Sequence, residues 1–184
     1  MNRRHRLALV TGFALVSLGL VTAADAALVK TGDALAKFNA SGPGGMNIEG
    51  KGSSMWTIDD GKTVKVVVQL TALSTGMSLR DKHMKEKYLE VQKFPDAELV
   101  VNRADLKFPA AGETKKEEAN GTLKLHGVNK GTKFKYTVTK DGEVYKVTGT
   151  LKVSMKDHDI PEPSYLGVKV KDEVDVSVQF NVKD

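Results

Sequence analysis

Charged and titratable side chains crowd together between residues 80 and 87, Arg80, Asp81, His83 and Lys87 among them. Arg80, His83 and Lys87 stand at i, i+3 and i+7, which places them on one face of a helix. His83 changes charge near neutral pH and could move a proton, with Asp81 beside it to assist. That pairing would suit isomerisation or hydrolysis. The segment offers no nucleophile and no second carboxylate, and the chain has no G-x-S-x-G, Walker or G-x-G-x-x-G motif. The competing reading is a solvated helix face with salt links to Asp81 and Glu86. His83, His126 and His158 lie far apart, without cysteine or an H-x-x-x-H spacing, so no metal centre is expected.

The surrounding stretch, 74–95, must position these groups. Thr75-Gly76 is a turn signal, Ser78 can cap a helix, and Asp81 three residues later completes a capping-box spacing. Met84, Tyr88 and Val91 recur at i, i+4 and i+7 as an apolar face. Asp81 and Lys85 add an i,i+4 ion pair in the favourable order. Pro95 closes the segment, with Phe94 before it biased towards extended geometry. The expectation is one short amphipathic helix near residues 78–92.

The chain has 184 residues, no Cys and a formal charge of +5. Arg3, Arg4 and Arg6 precede a short apolar run from Leu7 to Val21, and Ala24-Asp25-Ala26 is a small-residue cleavage site. Residues 1–26 read as a secretory signal peptide cut between Ala26 and Ala27, leaving one domain over 27–184. Removing Arg3, Arg4, Arg6 and Asp25 takes the charge from +5 to +3. The remaining Lys and Glu are interspersed, as on an ordinary solvated surface and unlike a nucleic-acid footprint. No later segment could span a bilayer as a helix.

The rest of the chain alternates apolar and polar residues, as strands do. Strands are expected over 34–40, over a broken stretch 46–58, and over 63–70 with Val64, Val66, Val68 and Leu70 on one face. Extended structure resumes over 97–108. Residues 109–121 are polar and charged and read as a mobile loop. Leu123 and Leu125 point inward, and Gly127 and Gly131 bracket a turn. Phe134, Tyr136 and Val138 form the next inward face. Tyr145, Val147, Gly149, Leu151, Val153 and Met155 form another, and 156–172 is a long loop. The last strand places Val174, Val176, Val178, Phe180 and Val182 inward. Asp60-Gly61 and Asp141-Gly142 are tight hairpin signals. About eight strands with one-sided faces argue an antiparallel sheet curled on itself, which a barrel or a sandwich would satisfy. The inward faces carry no charge, so they would either pack on one another or enclose something apolar.

Three stretches resemble the YceI-like family of bacterial polyisoprenoid-binding domains. The first runs from Leu-x-Thr-Gly at 73–76 through Arg80-Asp81-x-His83-Met84 to Lys93-Phe94-Pro95. The second is Gly121-Thr122-Leu123-Lys124-Leu125-His126-Gly127. The third is Lys156-Asp157-His158-Asp159-Ile160, with Gly167 and Asp172-Glu173-Val174 beyond it. The resemblance covers about residues 34–182. It implies an all-β fold: an eight-stranded antiparallel, lipocalin-like barrel whose lumen holds a long isoprenoid, in a protein exported to the periplasm. The region 34–56 is short and Gly-rich beside family members that begin with a long strand pair.

On that basis the ligand, a polyprenyl or quinone lipid, would meet Leu79, Arg80, His83, Met84 and Tyr88 at the mouth. Arg80, His83 and Lys87 could receive a headgroup oxygen or diphosphate. Deeper contacts would come from Phe134, Tyr136, Tyr145, Val147, Gly149 and Leu151, and from Val176, Val178 and Phe180 on the last strand. The expected role is binding, sequestration or transport, with no catalytic residue, no metal and no cofactor other than the lipid. No nucleic-acid partner is expected, and a homodimer is compatible with the sequence. The alternative is a small exported enzyme acting on an apolar substrate through His83 and Asp81.

Overall fold

The computed structural model describes residues 27–165 and 168–184; the expected signal peptide and the Ala26 side of its cleavage site lie outside the described residues. In chain order the elements are β1 (Val29–Ser41), β2 (Asn47–Gly52), β3 (Met55–Asp59), β4 (Thr63–Gln69), α1 (Ser78–His83), β5 (Asp96–Asn102), β6 (Thr114–Leu125), β7 (Val128–Asp141), β8 (Val144–Ser154), β9 (Ser164–Tyr165), β10 (Val168–Lys169) and β11 (Glu173–Lys183). Nine strands make one antiparallel sheet in the order β2-β1-β11-β8-β7-β6-β5-β4-β3, and β9 and β10 form a separate hairpin.

The sheet curls until its ends approach. The Leu28 amide donates to Asp59 Oδ2 at 2.8 Å, and Thr57 Oγ1 donates to the Leu28 carbonyl at 3.5 Å. A single backbone bridge joins Lys51 to Ser74. The result is a nine-stranded curled sheet, a half-barrel, where eight strands were expected. The broken stretch 46–58 divides into β2 and β3, which become the two edges of the sheet. Gly50 lies inside β2 opposite Phe38 of β1, whose ring lies where a Cβ would stand. β1 begins earlier than expected, at Val29, and passes an irregularity between Thr31 and Ala34 where Gly32 has φ +61°.

Two further expectations are corrected. Residues 114–121 are strand: β6 pairs with β7 from Thr114↔Thr139 to Leu125↔Val128. Only Glu98 to Val100 of β5 pair on its other side, with Thr122 to Lys124. The charged part of β6 therefore has one hydrogen-bonded neighbour, and Lys and Glu suit an exposed strand edge. Pairing along a long hairpin overrides the weak strand propensity of these residues. The β6–β7 turn lies at His126-Gly127, both with positive φ, and Gly131 sits inside β7.

The core gathers in two clusters along the lumen. One, at the α1 end, contains Leu70, Leu73, Val91, Leu125 and Val153; the other, at the far end, contains Leu28, Val64, Val101, Val138 and Val182. Among the described residues no helix is long and apolar enough to cross a membrane.

Candidate functional site

Between the two clusters lies a cavity of about 940 Å³, near the top of the range that holds a drug-sized or larger ligand. Strand periodicity builds its wall. Val174, Val176, Val178, Phe180 and Val182 of β11 all face it, as do Val147, Gly149, Leu151 and Val153 of β8. Phe134, Tyr136 and Val138 continue the wall on β7, and Val64, Val66 and Val68 on β4. From Val174 to Val182 the lining covers roughly 26 Å of strand at about 3.3 Å per residue. The charged or titratable nitrogen groups along the wall are Lys37, Arg80 and His83. Hydrocarbon fits such a space without leaving polar groups unsatisfied.

α1 and the turn before it form the mouth. Met77, Leu79, Arg80 and His83 line the cavity there, followed by Met84 and Tyr88. Met77 and Leu79 are 57% and 66% exposed, so the apolar wall runs out to the surface. Ser78 makes no capping bond; Met77 occupies the cap position. Asp81 reaches back instead and accepts from Ser74 Oγ (2.6 Å), the Thr75 amide (2.7 Å) and Thr75 Oγ1 (2.5 Å). Arg80 holds the same corner, donating from Nε to Thr75 Oγ1 (2.8 Å) and from Nη2 to the Thr75 carbonyl (2.9 Å). The expected capping box is therefore corrected: Ser78 is not the cap, and the Asp81 oxygens serve the preceding turn.

The helix ends differently from the expectation too. α1 passes into a wider π-turn over Met84–Tyr88, and the chain leaves it at Glu90, whose φ is +44°, well before Pro95. Glu90 then anchors this end. His126 Nε2 lies 3.1 Å from Glu90 Oε2, and its Nδ1 lies 3.0 Å from the His158 carbonyl oxygen. His158 is buried, and Phe94 meets the His126 ring edge-on at 4.8 Å. His126 and His158 thus tie the helix exit to the β6–β7 turn and the loop after β8. Among the described residues no three His, Asp or Glu side chains gather as a metal site.

Of the residues expected to meet a ligand, Leu79, Arg80, His83, Met84, Tyr88, Phe134, Tyr136, Val147, Gly149, Leu151, Val176, Val178 and Phe180 all line this cavity. Tyr145 does not. It is buried beyond the far end, where its hydroxyl accepts from Lys140 Nζ (2.7 Å) and donates to Asp184 Oδ2 (3.3 Å). Tyr136 accepts from the Lys107 amide at 2.7 Å, and burial pushes its phenol up from the ordinary range. Lys87 stands outside the lining, 5.4 Å from the centre of the Tyr88 ring. Leu106 and Phe108, in the segment between β5 and β6, also face the lumen. Both belong to the expected extended stretch 97–108, but they fall out of step with Leu99 and Val101 because they follow a turn over Arg103–Asp105.

The mouth carries an acid-sensitive bond set. Burial opposes ionisation of Asp81, but the Ser74 and Thr75 hydroxyls, the Thr75 amide and the Lys85 charge outweigh it and hold the carboxyl below its ordinary value. Asp172 is held down by Ser154 Oγ and the Lys156 amide, and Glu98 by Lys65 and Lys124. Folded values below unfolded ones mean stability present above the unfolded values and lost as pH falls through the folded ones. Thermal unfolding temperature should therefore hold near neutrality and fall progressively below about pH 4. Asp81→Ala should cost about 1–2 kcal/mol at neutral pH and flatten part of that acid decline. An acid profile identical to the parent's would show that Asp81 carries none of it.

A sequence profile of the YceI-like domain matches residues 28–182. A UPF0312 protein of Pseudomonas fluorescens is 33% identical over 152 residues, covering 78% of this chain and 77% of that protein. A second, from Pseudomonas savastanoi, is 32% identical over the same length. Among solved structures, a polyisoprenoid binding domain from Saccharophagus degradans, implicated in plant cell wall breakdown, superposes with a TM-score of 0.71. It is 16% identical and covers 85% of this chain and 98% of that one. Burkholderia cenocepacia BcnA superposes at 0.60, with 17% identity and coverage of 79% and 95%. At these identities the structural likeness establishes the fold.

Proposed function

Because this chain belongs to the YceI-like domain family, we propose that it binds a long isoprenoid lipid, of the polyprenyl or quinone type, in the barrel lumen. The carrying observation is the cavity of about 940 Å³, walled mainly by aliphatic and aromatic side chains. Each buried CH2 favours enclosure by roughly 0.8 kcal/mol, so a hydrocarbon chain gains steadily with the length it inserts. The polyisoprenoid-binding domain of S. degradans has the same fold and supports this reading.

The lumen sets a length. Strands in barrels tilt by about 35–45°, so roughly 26 Å of strand leaves roughly 20 Å along the axis. A chain of three bonds extends about 3.5 Å, which gives an isoprene unit of four bonds roughly 4.7 Å. About four units fill the axis straight, and longer chains must fold. Arg80 and His83 stand where a headgroup would emerge. The basic n-region, apolar run and cleavage site support export and a periplasmic role in sequestration or transport.

The enzymatic alternative is weaker because both Asp81 oxygens are engaged by Ser74 and Thr75, leaving His83 without that partner. Native mass spectrometry of the mature protein, purified from a bacterial periplasm, tests the proposal. The expected spectrum contains an adduct whose mass matches an isoprenoid of at least about four units. A bare mass that stays bare after addition of polyprenyl and quinone lipids would sink it.

A further inference from the structure

We propose that the rim of the cavity, Met77 and Leu79 together with the cations of α1 and the π-turn, docks on an anionic bilayer surface, and that lipid crosses between membrane and lumen there. The transfer step rests on the reading of the lumen as a lipid site; the docking step does not. Met77 and Leu79 are more than half exposed, and both also line the cavity. Apolar surface is therefore continuous from solvent to lumen at this mouth.

Charge frames that apolar pair. Between residues 77 and 88 stand Arg80, Lys82, Lys85 and Lys87, with His83, against Asp81 and Glu86. Lys82, His83 and Lys87 are exposed. Asp81 is turned towards Ser74 and Thr75. A short element that shows apolar side chains between lysines has the two signals that seat a protein at an anionic interface: inserted hydrocarbon and attraction to phosphate headgroups. An isoprenoid moving through open water would expose its whole chain. A mouth pressed against the bilayer shields that transfer. The other exposed large apolar side chains, Val29, Trp56 and Ile58, lie on β1 and β3. None of the three lies on α1 or its preceding turn, where the cations gather.

Flotation with phosphatidylglycerol vesicles, with phosphatidylcholine vesicles as reference, tests docking in the mature protein. A long-chain ubiquinone, supplied either inside the vesicles or dispersed in detergent micelles, tests transfer. The protein should float with the anionic vesicles and be released by high salt. Lys82→Glu combined with Lys87→Glu should weaken flotation about tenfold or more and slow quinone uptake from vesicles to match. Uptake from micelles should stay at the parent level, because neither lysine lines the lumen. Leu79→Ser should weaken flotation without changing its salt dependence. Failure of the parent to float, or equal flotation of the charge-reversed variant, overturns the docking proposal while micellar uptake still upholds the lumen. Flotation without quinone uptake by either route overturns transfer and the lumen reading together, and leaves docking in place.

Discussion

Replacing Asp59 with Ala lowers the unfolding free energy by about 3–5 kcal/mol, because it removes the carboxylate of a shielded ion pair that also receives two backbone amides. The Asp59 carboxylate is wholly shielded, and its ion-pair partner Arg103 is only 11% exposed. Oδ2 also receives the Leu28 amide, and Oδ1 receives the Gly61 amide at 2.9 Å. One side chain thus fastens the start of β1, the β3–β4 hairpin and the segment leaving β5. Arg103 completes the corner by lying over the Phe108 ring. In a domain of this size each kcal/mol moves the unfolding midpoint by about 2–4 °C, so the midpoint should drop by about 6–20 °C. Adding Arg103→Met to the Asp59→Ala background should cost less than the sum of the two single changes, since both act on one ion pair. Thermal unfolding followed by circular dichroism measures both. A single-variant loss below about 1 kcal/mol would place the pair among ordinary surface contacts.

Gly149→Phe separates an open lumen from a packed one. Gly149 sits at mid-strand on β8, opposite Tyr136 on one side and Val178 on the other. A Cβ there would meet Val178 Cγ2 at 3.2 Å, a contact a small shift of a valine methyl relieves. Beyond that Cβ the ring projects into the cavity. It divides the lumen and denies a long chain its inner half. Affinity for a long-chain quinone, measured by fluorescence titration, should fall at least about 100-fold. Phe suits a strand better than Gly, so stability should move by less than about 1 kcal/mol. A loss of about 1–3 kcal/mol or more with ligand uptake intact would mean the ring overpacks a solid core and the lipid binds elsewhere.

The sequence displayed the lumen well because side-chain direction alternates strictly in a strand. Val174 to Val182 could be assigned to one face without knowing any partner, and all five alternate residues do face the cavity. Tyr145 marks the limit of that reasoning. It keeps the face of Val147 and Gly149 but lies past the end of the space, because alternation fixes a side and not a depth. The charged start of β6 was unreadable as strand because its pairing is almost wholly with β7, and an edge tolerates Lys and Glu. At the mouth, residue types were legible and bonds were not: Asp81 had the spacing of a helix cap, yet its acceptors turned to Ser74 and Thr75. Asp59 and Arg103 had no local signature at all. They meet only because β3 and β5 flank β4 in the sheet, so nothing short of the fold could join them.

The way the curl ends has a consequence for what the lumen accepts. In a fully hydrogen-bonded barrel, strand number and stagger fix the bore. Here β2 and β3 are both outer strands, and the circuit is completed by one backbone bridge and two bonds at Leu28, one of them to Asp59. The circumference is held by fasteners along a slit, not by a ladder. Such a sleeve gains calibre by parting slightly at its slit, without breaking a ladder elsewhere. If the proposed lipid is the occupant, chains of differing thickness, whether straight, kinked or doubled back, would share one unaltered set of walls.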